Sequence, residues 1–394
     1  MKRAVILLGA GASIDFGVPA TLKFSDIIEE KVLNDAVVQS YGGDKAYRTI
    51  KCRLKGYLKS PGIVHFEHIY HCVHELLYLR EPTAGAVDEF RPILVPFLKD
   101  TSATTNDGLR MLADKIIQVI YEVVARRCAT PACPLRPFET FLKGLATTQT
   151  IRIYTTNYDD FALQAFPDLY TGYIPSGEQE TRFDTEGFWR RWDVPSLFHL
   201  HGSVHMSYSH HPGQGRFGDL VWFEDRDEAR ISASFWGSGL RRMDGSEVLR
   251  TPIITGLDKL SRLQQRPLPY FYAALTRDVM EADVLYVIGA GLGDLHLNSL
   301  LQEARSRPRP APLLFIDLWD GGFALDGPAP GRKEIEMFHS LAIHAGRGHA
   351  VDRYDDHWII PRDRTAAIWD HGFKAFLAAP DSHSKVLGRL TPRP

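Results

Sequence analysis

The fold is decided by Ala4-Val5-Ile6-Leu7-Leu8-Gly9-Ala10-Gly11-Ala12-Ser13. Five apolar residues in an unbroken run suit a strand covered on both faces in a parallel sheet. Glycines follow at once and allow a tight strand-to-helix turn. Glycine is also needed where a phosphate approaches the backbone, and a helix start offers free N–H groups. A strict dinucleotide fingerprint, Gly-x-Gly-x-x-Gly, needs a third glycine at position 14; Ile14 stands there, and the next glycine is Gly17. Taken alone, the segment reads equally as a pyrophosphate cradle, with Ala10, Gly11 and Ala12 presenting N–H groups, or as a turn with no ligand.

Working outward, further buried runs stand at Ile151–Thr156, Leu197–Leu200, Val284–Ile288 and Leu313–Ile316. Between the first strand and the second lie more than a hundred residues. Leu109, Leu112, Ile116, Ile120, Val123 and Val124 recur there at helical spacing, after cap residues Thr105 to Asp107. Other helices are expected around Phe24 to Val32 and Phe66 to Leu79. One crossover helix would suffice, so a helical insertion is inferred. The prediction is an α/β fold: a Rossmann-like, mainly parallel sheet with a large helical insertion. Residues 1–20 and 146–345 form the sheet domain, 21–145 the insertion, and 346–394 a C-terminal helical extension and tail. Within these, Pro252–Ile254 reads as a strand edge, Asp294 as a helix cap, Ala366–Ala379 as a helix, and 380–394 as loose.

Composition excludes some classes. The chain has 394 residues with 46 basic and 48 acidic side chains, a net charge of −2. That balance supports neither direct nucleic-acid binding nor attraction to a membrane. The first apolar run is too short for a signal peptide or a spanning helix. Four cysteines, Cys52, Cys72, Cys128 and Cys133, form no C-x-x-C pair. A four-thiolate zinc site is not expected, and a reducing, cytoplasmic location is.

Ligands of parallel sheets bind at the carboxyl ends of the strands. Asn157 and Asp159 follow the second run, and either could meet a ribose or amide, or simply cap a helix. His201 ends the third, in Leu-Phe-His-Leu-His-Gly-Ser, residues 197–203. An imidazole near neutrality can take a proton from water or a hydroxyl; the alternative is a satisfied core histidine. On a strand, His199 shares the face of His201. No suitably spaced carboxylate joins His199, His201 and His205, so no metal is expected. His65, His68, His71 and His74 recur every third residue and cannot share one helix face.

Four motifs in this order resemble the sirtuin superfamily: Gly9-Ala10-Gly11-Ala12-Ser13 with Gly17 and Pro19; Thr155-Thr156-Asn157-Tyr158-Asp159; Leu200-His201-Gly202-Ser203; and Gly289 to Asn298. Gly293, Asp294, His296 and Asn298 make the set most similar to bacterial sirtuin-like NAD hydrolases of anti-phage defence. The resemblance implies NAD as substrate, cleaved by water to nicotinamide and ADP-ribose. It implies that the first motif, with Pro19, holds the pyrophosphate, that Asn157 and Asp159 line the nicotinamide-ribose pocket, with Thr156 also binding the dinucleotide, and that His201 is the base, with Asn157 a second catalytic residue. It implies that Gly289, Gly291 and Asp317 lie near the adenosine half and that Asp294 also contacts the dinucleotide. The zinc ribbon of the deacetylases is missing, which weighs against deacylation. A homo-oligomer is implied, together with an activating phage component or a partner ATPase, since no Walker A sequence is present. The competing readings are a non-catalytic sensor of NAD or ADP-ribose and a protein deacylase.

Overall fold

A computed structural model describes residues 2–58, 63–80, 105–174, 179–209, 219–233, 237–241, 247–249, 251–256, 259, 263, 265–319, 332–345, 351–355 and 357–390. Its centre is an eight-stranded sheet. The strands are β1 (Lys2–Leu8), β2 (Gln149–Thr155), β4 (Ser196–His199), β9 (Val284–Ile288), β10 (Leu313–Ile316), β11 (Val351–Tyr354), β12 (Trp358–Pro361) and β13 (Ala366–Trp369). They lie in the order β11-β12-β13-β10-β9-β1-β2-β4. All pairs from β13 to β4 are parallel, while β11 and β12 join antiparallel. The expected α/β, mainly parallel architecture is what is found. A small antiparallel sheet stands apart from it, formed by β3 (Glu180–Thr181), β5 (Met206–Tyr208) and β6 (Leu220–Phe223), and β7 (Gly237–Arg241) pairs antiparallel with β8 (Glu247–Leu249).

The unbroken apolar runs are explained by helices on both faces. In β1, Ala4, Ile6 and Leu8 enter one core, shared with Phe24, Ile28, Leu112, Ile116 and Phe141. Val5 and Leu7 enter the other, shared with Phe271, Leu275, Leu297 and Leu301. Successive side chains of a strand point to opposite faces, so both parities of β1 are apolar. The Asn106–Ala129 helix begins as its sequence demands. Thr105 accepts a bond from the Gly108 N–H at 3.0 Å, and Arg126 and Arg127 in its last turn complement the helix dipole. It packs against the helices Gly43–Tyr57 and Phe66–Arg80. These helices between β1 and β2 form the layer beside the sheet.

Several expectations fail, for local reasons. Ala366–Ala379 is not one helix. Ala366–Trp369 is a strand paired in parallel with β10, and Gly372, at φ +82°, separates it from a short helix, Phe373–Leu377. Alanine favours helices in isolation, but a fully buried four-residue slot beside β10 overrides that preference. Residues 380–390 are ordered too: Ser382–Leu387 is helical, and Trp358 Nε1 donates to Ser382 Oγ at 2.6 Å; residues 391–394 lie outside the described residues. Pro252–Ile254 forms no strand, although Ile254 N–H donates to the His201 carbonyl at 2.8 Å. Among the described residues, no helix is long and apolar enough to cross a membrane.

β1 is flanked by β9 on one side and β2 on the other, with Ile6 opposite Tyr286 and Ile153. The chain winds outward in both directions from this point, which opens a crevice at the strand ends. Ile6 is fully buried. Ile6→Ala is expected to lower unfolding free energy by about 2–5 kcal/mol, read by chemical denaturation; a loss under 1 kcal/mol would show that β1 is not the centre of this core.

Candidate active site

The ends of β1 and β9 meet backbone to backbone. Gly9 N–H donates to the Ile288 carbonyl, and Gly11 N–H to the Gly289 carbonyl, both at 2.8 Å. Gly289 has φ +61°, and a Cβ there would lie 2.1 Å from the Ala12 nitrogen. These glycines therefore serve the crossing of two turns. Of the three N–H groups expected to face a pyrophosphate, Gly11 is taken by Gly289, and Ala12 donates to the Gly9 carbonyl at 3.0 Å. Only the Ala10 N–H makes no such bond.

Above this crossing lies a cleft of about 1370 Å³. It is larger than the roughly 300–1,000 Å³ of common small-molecule sites, so it can take an extended ligand. Gly9, Ala10, Ser13, Pro19, Thr156, Asn157, Asp159, His201, Gly291 and Asp294 all line it. Gly11, Ala12, Gly289 and Asp317 do not. Asp317 follows β10, where its carboxylate accepts from the Leu318 N–H at 2.8 Å. The far wall comes from the helical layer, with Phe24, Tyr57, His65, Phe66, Glu67 and His68.

The polar floor is a directed chain. Asn157 Nδ2 donates to the Gly9 carbonyl at 2.8 Å and to Ser13 Oγ at 2.7 Å. Ser13 Oγ donates in turn to Asp159 Oδ2 at 2.5 Å. Both amide hydrogens of Asn157 are thus engaged, and its Oδ1 has no hydrogen-bond partner among the described residues. Burial pushes the Asp159 carboxyl up to about 6, against the lowering pull of the Ser13 hydrogen bond. Its neighbour Asp160 turns the other way. It accepts from His205 Nε2 at 2.9 Å and from Arg226 Nη2 at 2.5 Å. Despite burial, the bonds from His205 and Arg226 hold its carboxyl well below the usual range. His205 also donates through Nδ1 to the Phe223 carbonyl at 2.8 Å and stacks on Trp222. It ties the small sheet to the main one.

His199 and His201 do not share a face. β4 ends at His199, and the chain turns through Gly202 at φ +88°. His199 donates to the Asn157 carbonyl at 3.2 Å, beneath the floor. His201 emerges into the cleft. It is 2% exposed, and its Nε2 has no hydrogen-bond partner among the described residues. Burial, reinforced by nearby Lys259, pulls its imidazole down to about 3. It is therefore neutral at physiological pH and able to accept a proton. Asp294 occupies the expected cap position of the Leu295–Arg305 helix but makes no side-chain cap bond. Its carboxylate instead accepts from Lys259 Nζ at 2.5 Å.

Residues 151–319 match the family model described as a SIR2-like domain. The match covers less than half of the chain. It holds Asn157, His201 and Asp294, but starts after the Gly9–Ser13 turn and the helical layer. The match supports a sirtuin-like family. No curated protein matches the chain in sequence. Among solved structures, a mutant Sir2 homologue with 2′-O-acetyl ADP ribose shares 15% identity over 80% of each chain, at a TM-score of 0.36. A Sir2 homologue–NAD complex shares 15% over 80% of this chain and 78% of that one, at 0.37. A sirtuin described for the structural basis of its substrate affinity shares 12% over 81% and 83%, at 0.36. At these scores the likenesses carry no argument about the site.

Several residues of the cleft were not anticipated from the SIR2-like motifs. Lys259 lies in a stretch without periodicity. His65 and His68 were visible only as part of a histidine run; their rings sit 3.7 Å apart on the cleft wall.

Two outcomes are expected here. A carboxyl raised by folding stays protonated in the folded chain to about pH 6, whereas the unfolded chain releases its proton near 3.8. The stability it contributes is complete below 3.8 and lost as pH rises through 6. Relative to wild type, Asp159→Asn should therefore gain on the order of 2–3 kcal/mol between pH 4 and pH 7.5, measured by denaturant unfolding at each pH. A constant difference would refute the buried, ionising carboxyl. Separately, Gly289→Ala should reduce stability by about 3 kcal/mol or more. A variant that kept full stability and lost only ligand affinity would contradict the backbone crossing.

Proposed function

We propose that this protein is an NAD glycohydrolase, cleaving NAD with water to nicotinamide and ADP-ribose. The observation that carries the reading is the buried, unpartnered Nε2 of His201. It faces the same cleft as the Gly9–Ser13 turn and the Asn157–Ser13–Asp159 chain. A buried polar atom without a partner is costly unless something else supplies one. The size of the cleft and the SIR2-like match over 151–319 support a dinucleotide as that ligand.

In this reading His201 accepts a proton from the attacking water through Nε2. Asn157 Oδ1 steadies the reacting ribose or the water, while its amide hydrogens stay locked to Gly9 and Ser13. Pro19, Thr156 and Ala10 bound the dinucleotide on the first-turn side, and Gly291 and Asp294 on the other. Gly11, Ala12 and Gly289 act by shaping the turns. Two aromatic side chains of the wall, Phe24 and Phe66, keep bulk water from one side of the cleft. A role in anti-phage defence, a homo-oligomeric assembly and a partner or phage trigger rest on the motif resemblance alone.

A second reading, a non-catalytic sensor of NAD or ADP-ribose, draws on one specific feature. An imidazole held near 3 is a weak base at rest. Nicotinamide release from NAD separates the two readings, followed with the purified chain and with its genetic neighbours added. His201→Ala is expected to cut turnover by roughly 100- to 10,000-fold, and Asn157→Ala by at least about tenfold, with both variants folded by circular dichroism. Full activity in both variants would defeat the site assignment, and no cleavage under any condition would favour the sensor.

A further inference from the structure

His201 does not face the cleft alone. Asp294 Oδ2 lies 4.0 Å from its Nε2, and the His296 ring centre lies 6.2 Å from its own. Asp294 Oδ1 is bound to Lys259 Nζ at 2.5 Å. Lys259 in turn lies 4.0 Å from Glu67 Oε1, on the helical wall. His296 Nε2 is engaged by the Tyr272 hydroxyl at 2.8 Å. With His65, whose imidazole burial, His68 and Lys259 pull down, these are the charged and titratable groups that face His201 or the residues that hold them among the described residues.

The carboxylate of Asp294 is out of its ordinary role. An aspartate at a helix cap normally accepts from an N–H of the first turn, and this one does not. One of its oxygens is held by an ammonium, and the other is directed toward an imidazole nitrogen that has no partner. The 4.0 Å separation is too long for a hydrogen bond yet within the range where a carboxylate favours a protonated imidazole.

We propose that Asp294 is the positioning residue of His201, and that Lys259 holds its carboxylate back in the resting chain. The proposal rests on the reading of His201 as the base. Lys259 carries a compact charge on a flexible stem. An anionic group entering the cleft competes with Asp294 for it. Asp294 can then close the gap to His201 Nε2, fix the ring and favour its protonated form. Binding of an anionic ligand and strengthening of the base become one event. Directions in the resting chain agree: Lys259 lowers the basicity of His201, and Asp294 raises it.

The test is the imidazole titration of His201, read by NMR in protein labelled at histidine, with His201→Gln identifying the resonance. No turnover is needed. The Asp294 and Lys259 side chains are 22% and 17% exposed at the cleft, so water can replace a lost partner, and amide substitutions should fold. Lys259→Gln is expected to raise the titration midpoint by about one pH unit. Adding Asp294→Asn on that background should reverse the rise. Lys259→Arg, which keeps the charge, should hold the wild-type midpoint. An unmoved midpoint in Lys259→Gln, or a rise that survives Asp294→Asn, overturns the proposal. A rise in Lys259→Arg as large as in Lys259→Gln overturns it too, because packing rather than charge would be responsible. If the midpoints move as stated but NAD is never cleaved, the charge arrangement stands and the hydrolase reading falls. Where NAD is cleaved, the acid limb of kcat/KM should move with the midpoint in each variant.

Discussion

Everything at this site depends on two glycine turns that touch. The Gly9–Ala12 turn after β1 and the Gly289–Ala290 turn after β9 approach until an added Cβ would collide with backbone. Their mutual hydrogen bonds replace those that each turn would otherwise seek from solvent or ligand. Because β1 and β9 are neighbours in register, the contact falls at the point where strand order reverses. The crevice above it inherits its floor from that contact. Asn157 reaches across to the Gly9 carbonyl, so the β2 end is fastened to the same crossing.

Electrostatics then divides the neighbouring acids by their partners. Asp159 and Asp160 are adjacent and both buried, but they are opposite in character. Asp160 accepts from Arg226 and His205, which hold its carboxyl low. Asp159 accepts from a hydroxyl and from backbone N–H, with no cation paired to it among the described residues, and burial raises it. The first anchors the small sheet to the large one. The second gains its charge only as pH rises through about 6, so the cleft floor changes charge there, in a buried setting where an added charge is felt strongly. His201 stands in the same weakly screened environment, which is why one lysine and one aspartate can govern it.

The sheet was legible in the sequence because it is buried on both faces. Unbroken apolar runs announced β1, β9 and β10, while β2 and β4 showed shorter apolar stretches around Ile151–Tyr154 and Leu197–Phe198. β13 was not recognised, since Ala366-Ala367-Ile368-Trp369 has the composition of a helix segment and only its place beside β10 makes it a strand. Motif residues at strand ends were also legible, and ten of the singled-out positions line one cleft. Their individual duties were less so. Sequence distinguishes a glycine from other residues, but not a glycine that faces a phosphate from one that faces another backbone. Asp294 has the residue type and position of a cap; only the placement of Lys259, distant in sequence, explains why its carboxylate leaves the helix. The histidine run, with its period of three, drifts around a helix, and two of its rings, His65 and His68, line the site because the start of the Phe66–Arg80 helix forms part of the cleft wall.

That packing joins the helical layer to the chemistry. Glu67 belongs to this layer, and the Thr255 hydroxyl donates to its Oε1 at 3.5 Å. Burial raises the Glu67 carboxyl, while Lys259 opposes the rise. The ammonium is thus bracketed by carboxylates from two structural layers, one of which also adjoins His201. A displacement of the Phe66–Arg80 helix changes the field at Lys259 before it touches any strand. If His201 is the base, its weakness in the resting chain is a property of this bracket rather than of the strand that carries it. Rate can then be gained without moving the sheet, by redistributing one positive charge between Glu67, Asp294 and an incoming anion.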